Sequence, residues 1–290
     1  MVLYNTGLGM LRAIGDSFRP MLFQILGGLF NVVFDALFLV LLRMEAVGSA
    51  WGTLAAQSIV AAVVIFYVLR QKETFRIRRL PMETLLPDVR KILSVGLPAG
   101  FQAMLITLSN VLIQSEINRF GAVAIAAFAV YFEVELIIYY PIVAFGQAAS
   151  VFVGQNMGAA QKERAHRGVL VTMAICLGVT VLTTIVSILF SSQLFSIFSK
   201  DQSVIDFGLK IVKITFPFYF IYVFLQVLGD ALRAMSYSFS VMLIVLLNIG
   251  LLRVLLMYGL VYSFGTVQAM VTVYPITWFT AAVSMAVLYI

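Results

Sequence analysis

What most limits the fold of this chain is a succession of apolar runs, each about 20 residues or longer. A helix of that length crosses about 30 Å of hydrocarbon, where every backbone N–H and C=O needs a partner within the protein. Only helices and closed barrels meet that demand, and the runs lack the period-2 alternation of barrel strands. The sequence therefore predicts an all-α integral membrane protein. Eight spans fit, at roughly 18–43, 47–70, 94–119, 122–153, 163–190, 203–229, 237–262 and 265–290. Residues 1–13 read as the tail of an earlier span, because Met1-Val2-Leu3-Tyr4 lacks the basic flank of a signal peptide. The chain is thus expected to start mid-protein, and it stops at Ile290 inside its last span.

Composition enters where the class needs a check. Apolar residues make up 62% of the chain and charged residues 11%, against about 25% charged in soluble domains. The net charge of +6 raises nucleic acid as a partner, but the basic residues are distributed as a topology signal. With loops assigned alternately to two sides, Arg12, Arg19, Arg233, the cluster from Arg70 to Lys91, and Lys162, Arg164 and Arg167 fall together. Arg43, Arg119, Lys200, Lys210 and Lys213 fall on the other side. The richer side is cytoplasmic by the positive-inside rule, so the span at 18–43 runs outward. The expected partner is the lipid bilayer, with no nucleic acid.

Two segments about 220 residues apart repeat one another. Leu11-Arg12-Ala13-Ile14-Gly15-Asp16-Ser17-Phe18 and Leu232-Arg233-Ala234-Met235-Ser236-Tyr237-Ser238-Phe239 share Leu-Arg-Ala and Ser-Phe at the same offsets, and each joins two apolar runs. A loop repeated with its flanking spans implies two related bundles, as in secondary transporters. Residues 71–93, with Pro81, Pro87 and mixed charges, are the main break between them. The expected organisation is residues 1–70 as the end of an incomplete first lobe, 71–93 as a cytoplasmic linker, and 94–290 as a second lobe of six helices. Pro98, Pro141, Pro217 and Pro275 fall inside spans, where each removes a backbone donor and permits a kink.

Enzyme chemistry finds no footing. His166 sits in a basic loop and Cys176 in an apolar run, neither at metal-ligand or catalytic spacing. Zinc-hydrolase, nucleophile-elbow and P-loop patterns are absent. Gly96 to Gly100 and Gly154 to Gly158 match the small-residue spacing of helix contacts, and the second pair also reads as a helix end.

Ionisable residues within spans are more informative, since an unpaired charge in hydrocarbon costs several kcal/mol. Asp35 lies one turn beyond Asn31, on the same face. At about 1.5 Å per residue, Asp35 is roughly 12 Å from the outer end of its span, and Thr53 and Gln57 lie at roughly 9 and 15 Å on the next helix. These oxygen ligands suit Na⁺, a desolvated carboxylate suits H⁺, and a structural hydrogen-bond cluster fits the same spacing. In the second lobe Glu133, Glu135 and Arg253 form a candidate polar network. Glu133 and Arg253 are each roughly 15 Å deep, so Arg253 is expected to pair with Glu133 or Glu135. Glu116 and Asp230, near span ends, are expected to be solvated.

Leu11-Arg12-Ala13-Ile14-Gly15-Asp16-Ser17, Asn31-Val32-Val33-Phe34-Asp35, Gly48-Ser49-Ala50-Trp51-Gly52-Thr53, Gly96-Leu97-Pro98 and Val153-Gly154-Gln155-Asn156-Met157-Gly158-Ala159 together resemble the multidrug and toxin extrusion (MATE) family. The resemblance covers essentially the whole chain. It implies a two-lobe helical bundle with a central cavity, and export of amphipathic, often cationic compounds across the plasma membrane, driven by H⁺ or Na⁺. It places Asn31, Asp35 and Thr53 on the first-lobe cation site. No cofactor beyond the coupling ion and a monomeric state are expected. Family members have twelve helices, and this chain matches from the end of the fourth onward, so the acidic residue of the first helix is outside it. The stretch Ala103-Met104-Leu105-Ile106-Thr107-Leu108 also lacks the glutamate that one branch carries in its seventh helix. The alternative is a lipid-linked oligosaccharide flippase of the same superfamily, which calls for several basic residues in the cavity.

Overall fold

The computed structural model describes residues 2–70 and 81–290, and every regular element among them is helical. The chain divides into two compact units, Met1–Leu85 and Leu86–Ile290. Eight helical segments among the described residues are long and apolar enough to cross a membrane: Phe18–Leu41, Glu45–Arg70, Leu85–Asn118, Ala122–Gly158, Lys162–Leu189, Gln202–Ala234, Ser238–Phe264 and Val267–Tyr289. They coincide with the predicted spans, with the largest difference at the start of the third. Residues 71–80 of the expected linker lie outside the described residues. From Met82 onward the chain is already helical, because Pro87 falls near the helix start and removes only one early hydrogen bond.

The first unit contains α1 (Val2–Ala13), α2 (Phe18–Asp35), a π-helical turn (Ala36–Leu41) and α3 (Glu45–Arg70). Helix α3 buries Gly48, Gly52, Ala56, Val60, Val64 and Val68, one residue in every four. That spacing makes a single stripe along the helix. Its valine half packs with Leu8 and Leu11 of α1 into the core of this unit. Its small-residue half lets the backbone of α2 approach, in the manner of small-residue contacts between membrane helices.

The second unit contains α4 (Met82–Asn118) from Leu86 onward, α5 (Ala122–Gly158), α6 (Lys162–Leu189), α7 (Ser191–Phe198), α8 (Gln202–Thr215), α9 (Tyr219–Ala234), α10 (Ser238–Val245), α11 (Arg253–Phe264) and α12 (Val267–Tyr289). Pro217 occupies a 3-10 turn, Phe216–Phe218, that joins α8 to α9. A second π-helical turn, Leu246–Leu252, joins α10 to α11, and its Ile249 carbonyl accepts a hydrogen bond from Ser109 Oγ of α4 at 3.0 Å. Asp201 caps α8 by accepting from the Ser203 amide at 2.9 Å. The Ser203 hydroxyl and amide hold the Asp201 carboxyl below the usual aspartate range.

The repeated loops have the same backbone. In one, the Gly15 and Asp16 amides bond to the carbonyls of Arg12 and Leu11 at 3.0 and 3.1 Å; in the other, Ser236 and Tyr237 bond to Arg233 and Leu232 at 3.0 and 2.9 Å. Both copies need a left-handed residue at the same offset, Gly15 at φ 89° and Ser236 at φ 74°. These are the paired bonds that close a helix C-terminus. The sequence repeat is therefore a repeat of turn geometry.

Candidate functional site

Asn31 and Thr53 meet, with Asn31 Nδ2 donating to Thr53 Oγ1 at 3.1 Å across the α2–α3 contact. Asp35 lies one turn beyond Asn31, at the last residue before the π-helical turn. Its carboxylate rests on Gly52, the residue adjoining Thr53. A Cβ at position 52 would overlap Asp35 Oδ1 and come within 3.1 Å of the Asp35 amide. Asp35 Oδ1 is buried without a hydrogen-bond partner among the described residues. A half-buried hydroxyl and amide, and an acceptor oxygen with nothing donating to it, form an oxygen-rich site that suits a cation or a proton. The glycine stripe of α3, which allows this approach, has no signal in composition or charge. Gly96, Gly100, Gly154 and Gly158, whose spacing drew attention, have open space where a Cβ would go, and Gly158 ends α5.

The second-lobe residues are arranged differently from expectation. Arg253 is 4% exposed, yet it forms no ion pair with Glu133 or Glu135. Its Nε and Nη2 both donate to Thr277 Oγ1 at 3.2 Å, and its guanidinium lies 4.9 Å from the centre of the Tyr274 ring. Thr277 donates its own proton to the Val273 carbonyl at 3.0 Å, leaving lone pairs for the arginine. Glu135 instead accepts a hydrogen bond from the Tyr219 hydroxyl. Glu133 is exposed, because two residues along a helix amount to more than half a turn and set it away from Glu135.

Aromatic packing holds these groups in place. Trp278 meets Tyr219, Tyr222 and Tyr274 edge-on at 4.9, 5.4 and 6.0 Å between ring centres. Such edge-to-face pairs contribute about 0.5–1.5 kcal/mol each beyond area burial. Sequence reasoning passed over these rings because they come from two distant helices.

Two residues expected to be solvated are not. Glu116 is 5% exposed and pairs with Arg119 at 3.0 Å. Asp230 accepts from Gln226 Nε2 at 2.8 Å and pairs with Arg233, which also donates to Gln102 on α4 at 3.2 Å. Gly146 on α5 admits the Asp230 carboxylate, since a Cβ there would overlap it. His166 stacks on Tyr289 with ring centres 5.1 Å apart, and Cys176 is buried and free.

Comparison with known proteins gives a consistent family. Residues 98–259 match MatE. The chain is 31% identical over 252 residues to the probable multidrug resistance protein YpnP of Bacillus subtilis, covering 86% of this chain and 56% of that protein. It is 24% identical over 259 residues to the probable multidrug resistance protein NorM of Thermotoga maritima, covering 88% of this chain and 56% of that protein. It thus spans about half the length of these curated relatives. A solved structure described as MATE in complex with MaL6 superposes with a TM-score of 0.90 at 20% identity, covering 99% of this chain and 65% of the other. The family is one of membrane transporters rather than enzymes, and by the extent of its match the chain belongs to the MatE family.

Proposed function

We propose that this chain is part of a cation-coupled antiporter that exports amphipathic, often cationic compounds across the plasma membrane. The observation that carries the reading is the buried, unpartnered Asp35 Oδ1, held on Gly52 one turn from the Asn31–Thr53 pair. A carboxylate in hydrocarbon needs a proton, a cation or a donor, and here no donor faces Oδ1 among the described residues. Asp35 is the coupling residue, and Asn31 and Thr53 are its neutral helpers. Binding of H⁺ or Na⁺ cancels the charge and repositions the segment around the π-helical turn; discharge on the inner side resets it. The names of the relatives favour efflux over the flippase alternative, and Arg253 is committed to Thr277 and Tyr274.

The test is substrate efflux from proteoliposomes under imposed H⁺ and Na⁺ gradients. Asp35→Asn should keep fold and insertion while abolishing gradient-driven export, and Thr53→Ala should weaken cation dependence more mildly. Wild-type export by Asp35→Asn would remove Asp35 from the mechanism. Absence of gradient-driven export by the wild-type transporter of which this chain is part would overturn the antiport reading itself.

A further inference from the structure

Helix α6 opens with Lys162, Arg164 and Arg167. The start of a helix is where positive side chains are least favoured, because its free N–H groups already carry partial positive charge. The positive-inside rule accounts for the side on which these residues lie, but not for their arrangement. Arg164 and Arg167 line a cleft of about 610 Å³ with Ala148 and Phe152 of α5 and Gly168 and Val171 of α6. Gly168 shapes this cleft: a Cβ there would overlap the Phe152 ring, so the bare backbone lets the ring lie against α6. The Arg164 guanidinium sits 5.7 Å from the centre of that ring. Arg167 reaches Glu163 only at 3.6 Å, with both side chains largely exposed. Such a pair leaves most of the positive charge uncompensated.

The chemistry changes going down the helix. Val171, Ile175 and Leu182 are all exposed, and their spacing puts them on one stripe that continues from the arginines. At 1.5 Å per residue, Arg167 to Ile175 covers about 12 Å, close to the depth of one leaflet. A cationic mouth above an apolar track of this length matches a phospholipid. A free anion would engage the arginines and leave the track unused.

We propose that this cleft binds an anionic phospholipid of the inner leaflet, with its phosphate between Arg164 and Arg167 and an acyl chain along Val171 and Ile175. The site is independent of the transport reading. The test reconstitutes the chain into phosphatidylcholine nanodiscs containing a graded fraction of phosphatidylglycerol. After mild detergent extraction, native mass spectrometry counts the phosphatidylglycerol that each chain retains. Replacing both arginines, Arg164→Gln with Arg167→Gln, should weaken retention about 30-fold, the combined effect of two basic side chains at an anionic surface. Lys162→Gln, outside the cleft lining, should retain lipid as the wild type does. Val171→Ala, on an exposed position that does not disturb folding, should lower retention with both arginines present. Unchanged retention in the double variant or in Val171→Ala, or equal loss in Lys162→Gln, would overturn the proposal. Displacement of the lipid by millimolar inorganic phosphate would do so as well, by showing a free-anion site.

Discussion

Substitution of Gly52 by alanine is the sharpest test of the first-lobe geometry. In an unobstructed helix this change gains about 1 kcal/mol, because glycine is the costlier residue there. At position 52 the new Cβ would overlap Asp35 Oδ1 and lie 3.1 Å from the Asp35 amide and 3.3 Å from the Phe34 carbonyl carbon. The carboxylate can rotate away, but the backbone atoms cannot, so the helices must separate. Overpacking of this kind costs about 1–3 kcal/mol, which exceeds the propensity gain and leaves a net loss of about 1 kcal/mol. Gly28→Ala is the control, since a Cβ there meets nothing within 4 Å and should gain about 1 kcal/mol. The assay is thermal unfolding of the purified protein in detergent, repeated across pH and Na⁺ concentration. Gly52→Ala should melt lower than the wild type and lose its cation-dependent stabilisation, while Gly28→Ala melts higher and keeps it. If Gly52→Ala melts higher with cation dependence intact, Asp35 does not rest on Gly52 and the site is wrongly built.

Other expectations follow from single contacts. Ser236→Gly should stabilise by about 1 kcal/mol, since a left-handed residue other than glycine costs about 1–2 kcal/mol, and Gly15→Ala should destabilise by a similar amount; melting curves compare the two. Thr277→Val removes the acceptor of Arg253 and should cost about 1–3 kcal/mol, whereas Thr277→Ser should be near neutral by chemical denaturation. Cysteines placed at Lys162 and Lys200 should label from the cytoplasmic and outer sides respectively, and the reverse pattern would invert the topology. Since the folded-state pKa of Asp201 is depressed, its capping contribution is present above the ordinary aspartate range and is lost as pH falls through the lowered value. Hydrogen-exchange protection at the start of α8, taken relative to the intrinsic exchange rate at each pH, should fall at acid pH, and Asp201→Asn should flatten that response.

The spans were legible because length and apolarity report directly on the bilayer, and helix ends follow within a few residues. The Arg12 and Arg233 loops were legible because their chemistry is local: the bonds that close each turn join residues within five positions of one another. Counting depth along adjacent antiparallel helices brought Asp35 to the level of Thr53, and the one-turn spacing put Asn31 on the face of Asp35; the Asn31–Thr53 hydrogen bond itself was not accessible to that count. Contacts fixed by helix rotation were not accessible in this way. Depth placed Glu133 level with Arg253, but depth says nothing about which way a side chain faces, and Glu133 faces outward. Asp230 was read as wet from its place near a span end; its burial depends on Gly146, on a different helix, leaving room for it. The Trp278 cluster is hidden for the same reason, since aromatic rings in a membrane protein look alike until packing selects which ones touch.

The π-helical turns at Ala36–Leu41 and Leu246–Leu252 stand beside Asp35 and Arg253, two ionisable residues within the spans. A π turn holds one residue more than an α turn requires, and it amounts to a single-residue insertion absorbed inside a helix. Excising one residue from Ala36–Leu41 should therefore restore a plain α-helix and leave the following loop intact. Side chains beyond the excision would keep nearly their present direction relative to Asp35, whereas removing one residue from a plain α-helix would turn them by about 100°. The π turn thus lets the span carry one residue more without rotating its second half, and among relatives its gain or loss would appear as a one-residue gap in the midst of a continuous hydrophobic segment.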